Sequence, residues 1–130
     1  IAASATDVVV IAGTPKLSFD GPGCLQRRYA ATGGTVSSED GACSESLEGK
    51  PAQRVTPLLA RAADGLDNVA LLDLNDLVCP DGLCSARRPG GAVVFREERH
   101  LTDTFVRAQE TAFRQRVAQL GLQNLRNLDD

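Results

Sequence analysis

Apolar residues along the chain fall into separated blocks, and the spacing inside each block differs. Asp7 to Gly13, DVVVIAG, is a continuous apolar run ended by Gly13 and Pro15. Continuous rather than alternating apolarity predicts a strand buried on both faces, as in a parallel sheet covered by helices. From Thr14 to about Ser46 the chain is rich in Gly, Ser, Asp and Pro without a sustained period. That predicts a long loop, and a loop of this length needs a function or a staple. Pro51 to Ala63 returns to helical spacing, with Val55, Leu58, Leu59 and Ala62 on one stripe. Within it Pro57 predicts a kink, or a true start with Thr56 as N-cap, and Gly65 a stop.

Asn68 to Val78 reads as a second strand, with Val69 to Leu72 at its core and Asp73 at the sheet's edge. Gly91 to Phe95 reads as a short third strand. Asp103 to about Leu120 is the strongest helical pattern. Phe105, Val106, Gln109, Phe113, Val117 and Leu120 form its core-facing stripe, and Arg107, Glu110, Arg114 and Arg116 face outward. Strand, helix, strand, short strand, helix is the order of an α/β fold with parallel strands. The 130 residues make one domain. Three short strands are few for such a sheet, and the chain has no Met and starts at Ile1. Both features lead us to expect a piece of a longer polypeptide whose N-terminal part, with any targeting signal, lies upstream.

A net charge of -3 and a pI near 5.1 argue against nucleic acid as a partner, because phosphate binding needs clustered Lys and Arg. The pairs Arg27-Arg28 and Arg87-Arg88 are too short to change this. No apolar run approaches the roughly 20 residues of a membrane span. Four cysteines in a loop-rich chain suggest disulfides and an oxidising, extracytoplasmic setting. Of the three connectivities, Cys24–Cys43 and Cys79–Cys84 are favoured, since each joins neighbours across a turn-rich stretch; Pro80 and Gly82 let the second double back. A zinc site built on the cysteines and His100 is the weaker reading, because no Cys-x-x-Cys pair exists. A thiol redox role is weaker still. No cofactor is implied.

FREERHLTD, from Phe95 to Asp103, holds the chain's one histidine. A lone His ahead of a helix is ordinarily a surface or cap residue. Here His100 follows a short strand and precedes a helix, the kind of position where α/β sites gather. Glu97, three residues earlier, is near enough on a turn to accept the imidazole N–H and orient the ring. The last helix then holds the pair on a rigid element.

LLDLNDLVCPDGLC, followed by FREERHLT, resembles the C-terminal end of the SGNH domains fused to acyltransferase-3 membrane proteins. VVVIAGTPKLSFDGPGCL is similar to that family's mid-domain strand and its cysteine loop. The resemblance runs from about Val8 to Phe113. It implies part of a three-layer α/β/α hydrolase-like domain outside the cell membrane, tethered there in the full-length protein. It implies a Ser nucleophile that relays an acyl group, commonly acetyl, from a donor delivered by a fused or associated membrane domain. The acceptor would be a hydroxyl of a cell-envelope glycan or lipid. His100 matches the family's catalytic base and Glu97 its orienting acid, where the family has Asp.

The family's Gly-Asp-Ser block and a Gly-x-Asn are absent. Asn68, Asn75, Asn124 and Asn127 stand in other contexts. Ser18, Ser37, Ser38, Ser44, Ser46 and Ser85 lack the sharp strand-end turn of an activated serine. The expectation is therefore that this chain supplies only the base and its orienter, and is inactive alone. The competing reading is a disulfide-stapled extracellular module that binds without chemistry. Tyr29, beside Arg28 and the Gly33-Gly34 loop, either stacks on a sugar or is an ordinary surface residue.

Overall fold

A computed structural model describes residues 7–35 and 41–122. Ser37, Ser38, Asn124 and Asn127 lie outside the described residues. The element order is β1 (Val8–Ile11), α1 (Gly21–Ala31), β2 (Ser44–Ser46), α2 (Pro51–Ala63), β3 (Val69–Leu72), α3 (Asn75–Val78), β4 (Leu83–Ser85), α4 (Asp103–Ala108) and α5 (Glu110–Gln119). A short 3-10 turn, Pro80–Gly82, joins α3 to β4. The fold is mixed α/β, as the order of apolar blocks predicts.

β1 and β3 pair in parallel, with Val8 opposite Val69 and Ile11 opposite Leu72. α2 makes the crossover and packs against β3. The two runs were expected to be buried on both faces, and here the structure differs. β1 is half-exposed along its length, with Ile11 57% exposed. A parallel pair needs cover on both sides, and the described residues provide only part of it. α2 itself buries no residue, and Val55 and Leu58 on its apolar stripe are exposed.

Several expected boundaries move, each for a local reason. The expected loop from Thr14 to Ser46 contains α1 and β2. Gly21-Pro22-Gly23 looks like a turn, yet Pro is well placed in a helix's first turn, where its missing N–H costs nothing. Gly21 is there because of close approach: a Cβ would lie 3.1 Å from Leu17 Cδ1 and 3.2 Å from the Ala86 methyl. In α2 the helix starts at Pro51, Pro57 lies inside it, and the Thr56 hydroxyl donates to the Ala52 carbonyl at 2.8 Å. Thr56 is therefore not a cap. Gly65, with φ +79, follows the helix end as expected.

The second strand stops at Leu72 rather than Val78. The Asp73 carboxylate accepts the Asn75 backbone N–H at 2.9 Å, and that Asx turn starts α3. Gly91 to Phe95 does not join the sheet. It makes isolated bridges, Arg87 with Val93 and Phe95 with Leu101, while β2 and β4 form a separate antiparallel pair. The last helix is interrupted at Gln109. Of its predicted stripe Phe105 is buried, but Val106 is 51% and Phe113 40% exposed.

The core lies beyond the C-terminal ends of β1 and β3. Leu17, Leu47, Val78, Ala86, Val94, Phe95 and Phe105 pack there with Cys43, Cys79 and Cys84. Burying Phe95 and Phe105 stabilises the fold by about 1.5–3 kcal/mol each. The structure pairs Cys24 with Cys43 and Cys79 with Cys84, at Cα separations of 5.7 and 4.2 Å. With no cysteine left free, the zinc alternative loses its thiolate ligands. Backbone hydrogen bonds then run in one line through this core. The N–H of Ala86 donates to Cys43, that of Val94 to Ala86, and that of Thr102 to Val94, each at 2.9 Å.

Chain entropy ranks the two staples. The Cys24–Cys43 loop spans 19 residues and the Cys79–Cys84 loop 5, so the first constrains the unfolded chain more. Replacing Cys24 and Cys43 together by Ser is expected to lower the unfolding free energy by about 3 kcal/mol, and replacing Cys79 and Cys84 by about 2 kcal/mol. Urea denaturation of both double variants checks the order; equal losses would contradict it.

Candidate active site

His100 stands at the end of a five-residue loop, Arg96 to His100, closed by the Phe95–Leu101 bridge. The Arg96 backbone N–H donates to the His100 carbonyl at 2.8 Å. Both ends of the loop are anchored. Phe95 is fully buried, and Leu101 packs against the core. The Leu17 N–H donates to the Glu98 carbonyl at 2.9 Å, which fastens the loop to the segment leaving β1. On the downstream side the Thr102 hydroxyl donates to the Val93 carbonyl and accepts the Phe105 N–H at 3.2 Å, capping α4. The loop is on the surface, but its attachments are internal.

The structure brings His100 and Glu97 together. One carboxylate oxygen, Oε1, accepts the His100 backbone N–H at 2.8 Å and also meets the ring at Nδ1. An ionised carboxylate can only accept, so Nδ1 donates and Nε2 is left with its lone pair. The His100 side chain is 69% exposed and Glu97 41%, so Nε2 is open to a reactant. Desolvation pushes the Glu97 carboxyl up. Hydrogen bonds from the imidazole and from the His100 and Arg99 backbone N–H groups, with the attraction of the ring's charge, outweigh it and hold the carboxyl below its ordinary value. Chemically this is a base whose tautomer and orientation are set by an acid, the arrangement that activates a hydroxyl nucleophile.

The described serines bond elsewhere. Ser18 donates to Glu45, Ser44 to Ser85, and Ser46 accepts the Glu48 N–H. Asn68 precedes β3, and buried Asn75 opens α3.

A family model described as SGNH domain (fused to AT3 domains) matches residues 1–115. The chain belongs to this family. No curated protein and no solved structure matches it. Membership accounts for a mixed α/β fold with small sheets, a partial form of the SGNH arrangement, and supports a role of acyltransferase or esterase type. The family's description places such domains on the same polypeptide as AT3 domains. The paired cysteines of this SGNH domain suit an oxidising compartment. No helix among the described residues is long and apolar enough to cross a membrane.

Sequence reasoning missed two contacts that brace the surroundings of the candidate site. Arg88, dismissed with Arg87 as a short basic pair, donates to the Leu77 and Val78 carbonyls and lies 5.3 Å over the Phe105 ring. It thereby joins the end of α3 to the first turn of α4, and burial lowers its guanidinium pKa. Glu45 accepts from the Ser18 backbone and hydroxyl and pairs with Lys50 at 2.8 Å, tying the segment after β1 to β2 and α2. Only the Arg88-Pro89-Gly90-Gly91 turn, which reverses the chain, signals the first in the sequence; nothing local signals the second.

Because the folded Glu97 carboxyl keeps its charge to lower pH than a free glutamate, its ionisation favours the closed loop above the ordinary carboxylate range. That contribution is lost as pH falls through the folded value. Carbon-13 titration should find the Glu97 carboxyl below the usual glutamate range, and His100→Ala should move it upward. A midpoint unchanged by His100→Ala would show that the ring does not hold the carboxylate.

Proposed function

We propose that this SGNH domain serves an extracytoplasmic O-acyltransferase or esterase that moves an acyl group, acetyl foremost, to a hydroxyl of a cell-envelope glycan or lipid. The observation that carries the proposal is the His100 imidazole, held at Nδ1 by Glu97 with Nε2 open. Family membership supplies the reaction class. The chain contributes His100 and Glu97; a Ser nucleophile comes from outside it, and an AT3 domain in the membrane delivers the acyl donor.

In this scheme the Ser Oγ bonds to the acyl carbon as its proton passes to His100 Nε2. Collapse of the tetrahedral intermediate expels the donor's leaving group, which takes that proton. An acceptor hydroxyl then attacks the acyl-enzyme, again giving its proton to Nε2. The proton returns to Ser Oγ as the ester leaves. Glu97 stays ionised throughout, stabilising the imidazolium that forms in each half.

The competing reading is a binding module without chemistry, and it draws on the described serines, all bonded away from His100. Activity separates the two. In the full-length protein His100→Ala should lower acyl transfer by about 10³-fold, within the usual range for a general base, while Glu97→Gln lowers it by a smaller factor. Undiminished turnover in His100→Ala, measured with a chromogenic acetyl ester and a glycan acceptor, would refute the enzymatic reading.

A further inference from the structure

A concave surface lies between α1 and the turn from Arg87 to Val93. Leu25, Gln26 and Tyr29 of α1 meet Arg87, Gly91 and Val93 around an open cavity of about 370 Å³. Tyr29 is 56% exposed there, although it is the chain's single Tyr and no Trp is present. Its position is determined from two sides. α1 is held by the Cys24–Cys43 disulfide, and the Tyr29 hydroxyl lies against Gly34, where a Cβ would come within 3.3 Å. Arg87 Nε donates to the Gly91 carbonyl at 3.3 Å, which places the guanidinium over the turn and leaves its terminal N–H groups for another partner. Gly91 has no side chain to fill the space. Val93, at the rim, accepts the Thr102 hydroxyl two residues beyond His100.

We propose that this cavity is a saccharide subsite. An exposed aromatic face flanked by a planar guanidinium and an amide is the chemistry that recognises a pyranose. The ring's C–H face packs on Tyr29 while Arg87 and Gln26 bond adjacent hydroxyls. The volume suits one or two sugar rings. The lining is mostly apolar, from Leu25, Val93 and the Tyr29 ring, with Gln26 and Arg87 as its polar side chains. The cavity's role as acceptor subsite rests on the acyl-transfer reading above; sugar binding itself does not.

Tyr29 is the only tyrosine, so intrinsic fluorescence reports on this cavity alone. The chain is titrated with diacetylchitobiose, cellobiose and maltotriose up to about 50 mM, a range that captures millimolar affinities. At least one is expected to give a saturable change in Tyr29 emission, with amide shifts at Gln26, Arg87 and Gly91. Tyr29→Ala and Arg87→Ala, followed by amide shifts, should each weaken binding about three- to ten-fold. Tyr29→Phe and His100→Ala should retain it. No saturation with any of the three sugars, binding indifferent to Tyr29→Ala, or shifts in this cavity caused by self-association would overturn the proposal. Sugar binding in a full-length protein without acyl transfer would instead refute the enzymatic reading and leave this one standing.

Discussion

Four backbone segments meet side by side in the core, and the hydrogen bonds from Ala86 to Cys43, Val94 to Ala86, and Thr102 to Val94 join them in one row. Ala86 and Val94 are fully buried and Cys43 nearly so. A buried amide without a partner costs about 1–3 kcal/mol, so the row cannot slip without exposing or orphaning its members. At one end of it is the Cys24–Cys43 disulfide; at the other is the residue that caps α4. His100 lies two positions before that cap. The site's geometry is thus inherited from a disulfide-stapled core and not from the sheet.

This arrangement explains how a surface loop can present a base in a defined orientation. The loop needs no core of its own, because Phe95 on one side and Leu101 and Phe105 on the other are packed inside. Arg88 adds a cation over the Phe105 ring and binds the last carbonyls of α3, so that the helix following His100 is tied to the helix that leads into the Cys79–Cys84 loop. Glu97 then acts locally, using one oxygen to hold both the backbone and the ring of His100. Rigid support with an exposed working group is what catalysis by a general base requires.

Much of this was legible in the sequence and some was not, for identifiable reasons. The parallel pair was readable because Val8 to Ile11 and Val69 to Leu72 are unbroken apolar runs. The cysteine pairing followed from turn residues between neighbours, and the Glu97–His100 contact from a spacing of three on a turn. α1 was not legible, since Gly21 and Gly23 mark a turn and its apolar residues follow no helical stripe; tertiary contact at Gly21 and the disulfide at Cys24 hold it. Gly91 to Phe95 has the composition of a strand, but its partners are the Arg87 segment and Leu101, which no local pattern reveals. The expected cover of β1 and α2 failed because burial depends on what packs against an apolar face.

The central claim is that the Glu97 carboxylate fixes the His100 ring with its proton on Nδ1 and its lone pair on Nε2. Nitrogen-15 shifts of the imidazole test this directly, and the chain's single histidine removes any ambiguity of assignment. At mildly alkaline pH the protonated, pyrrole-type nitrogen is predicted to be Nδ1, with Glu97→Gln weakening that preference. A ring protonated mainly on Nε2, and indifferent to Glu97→Gln, would contradict it.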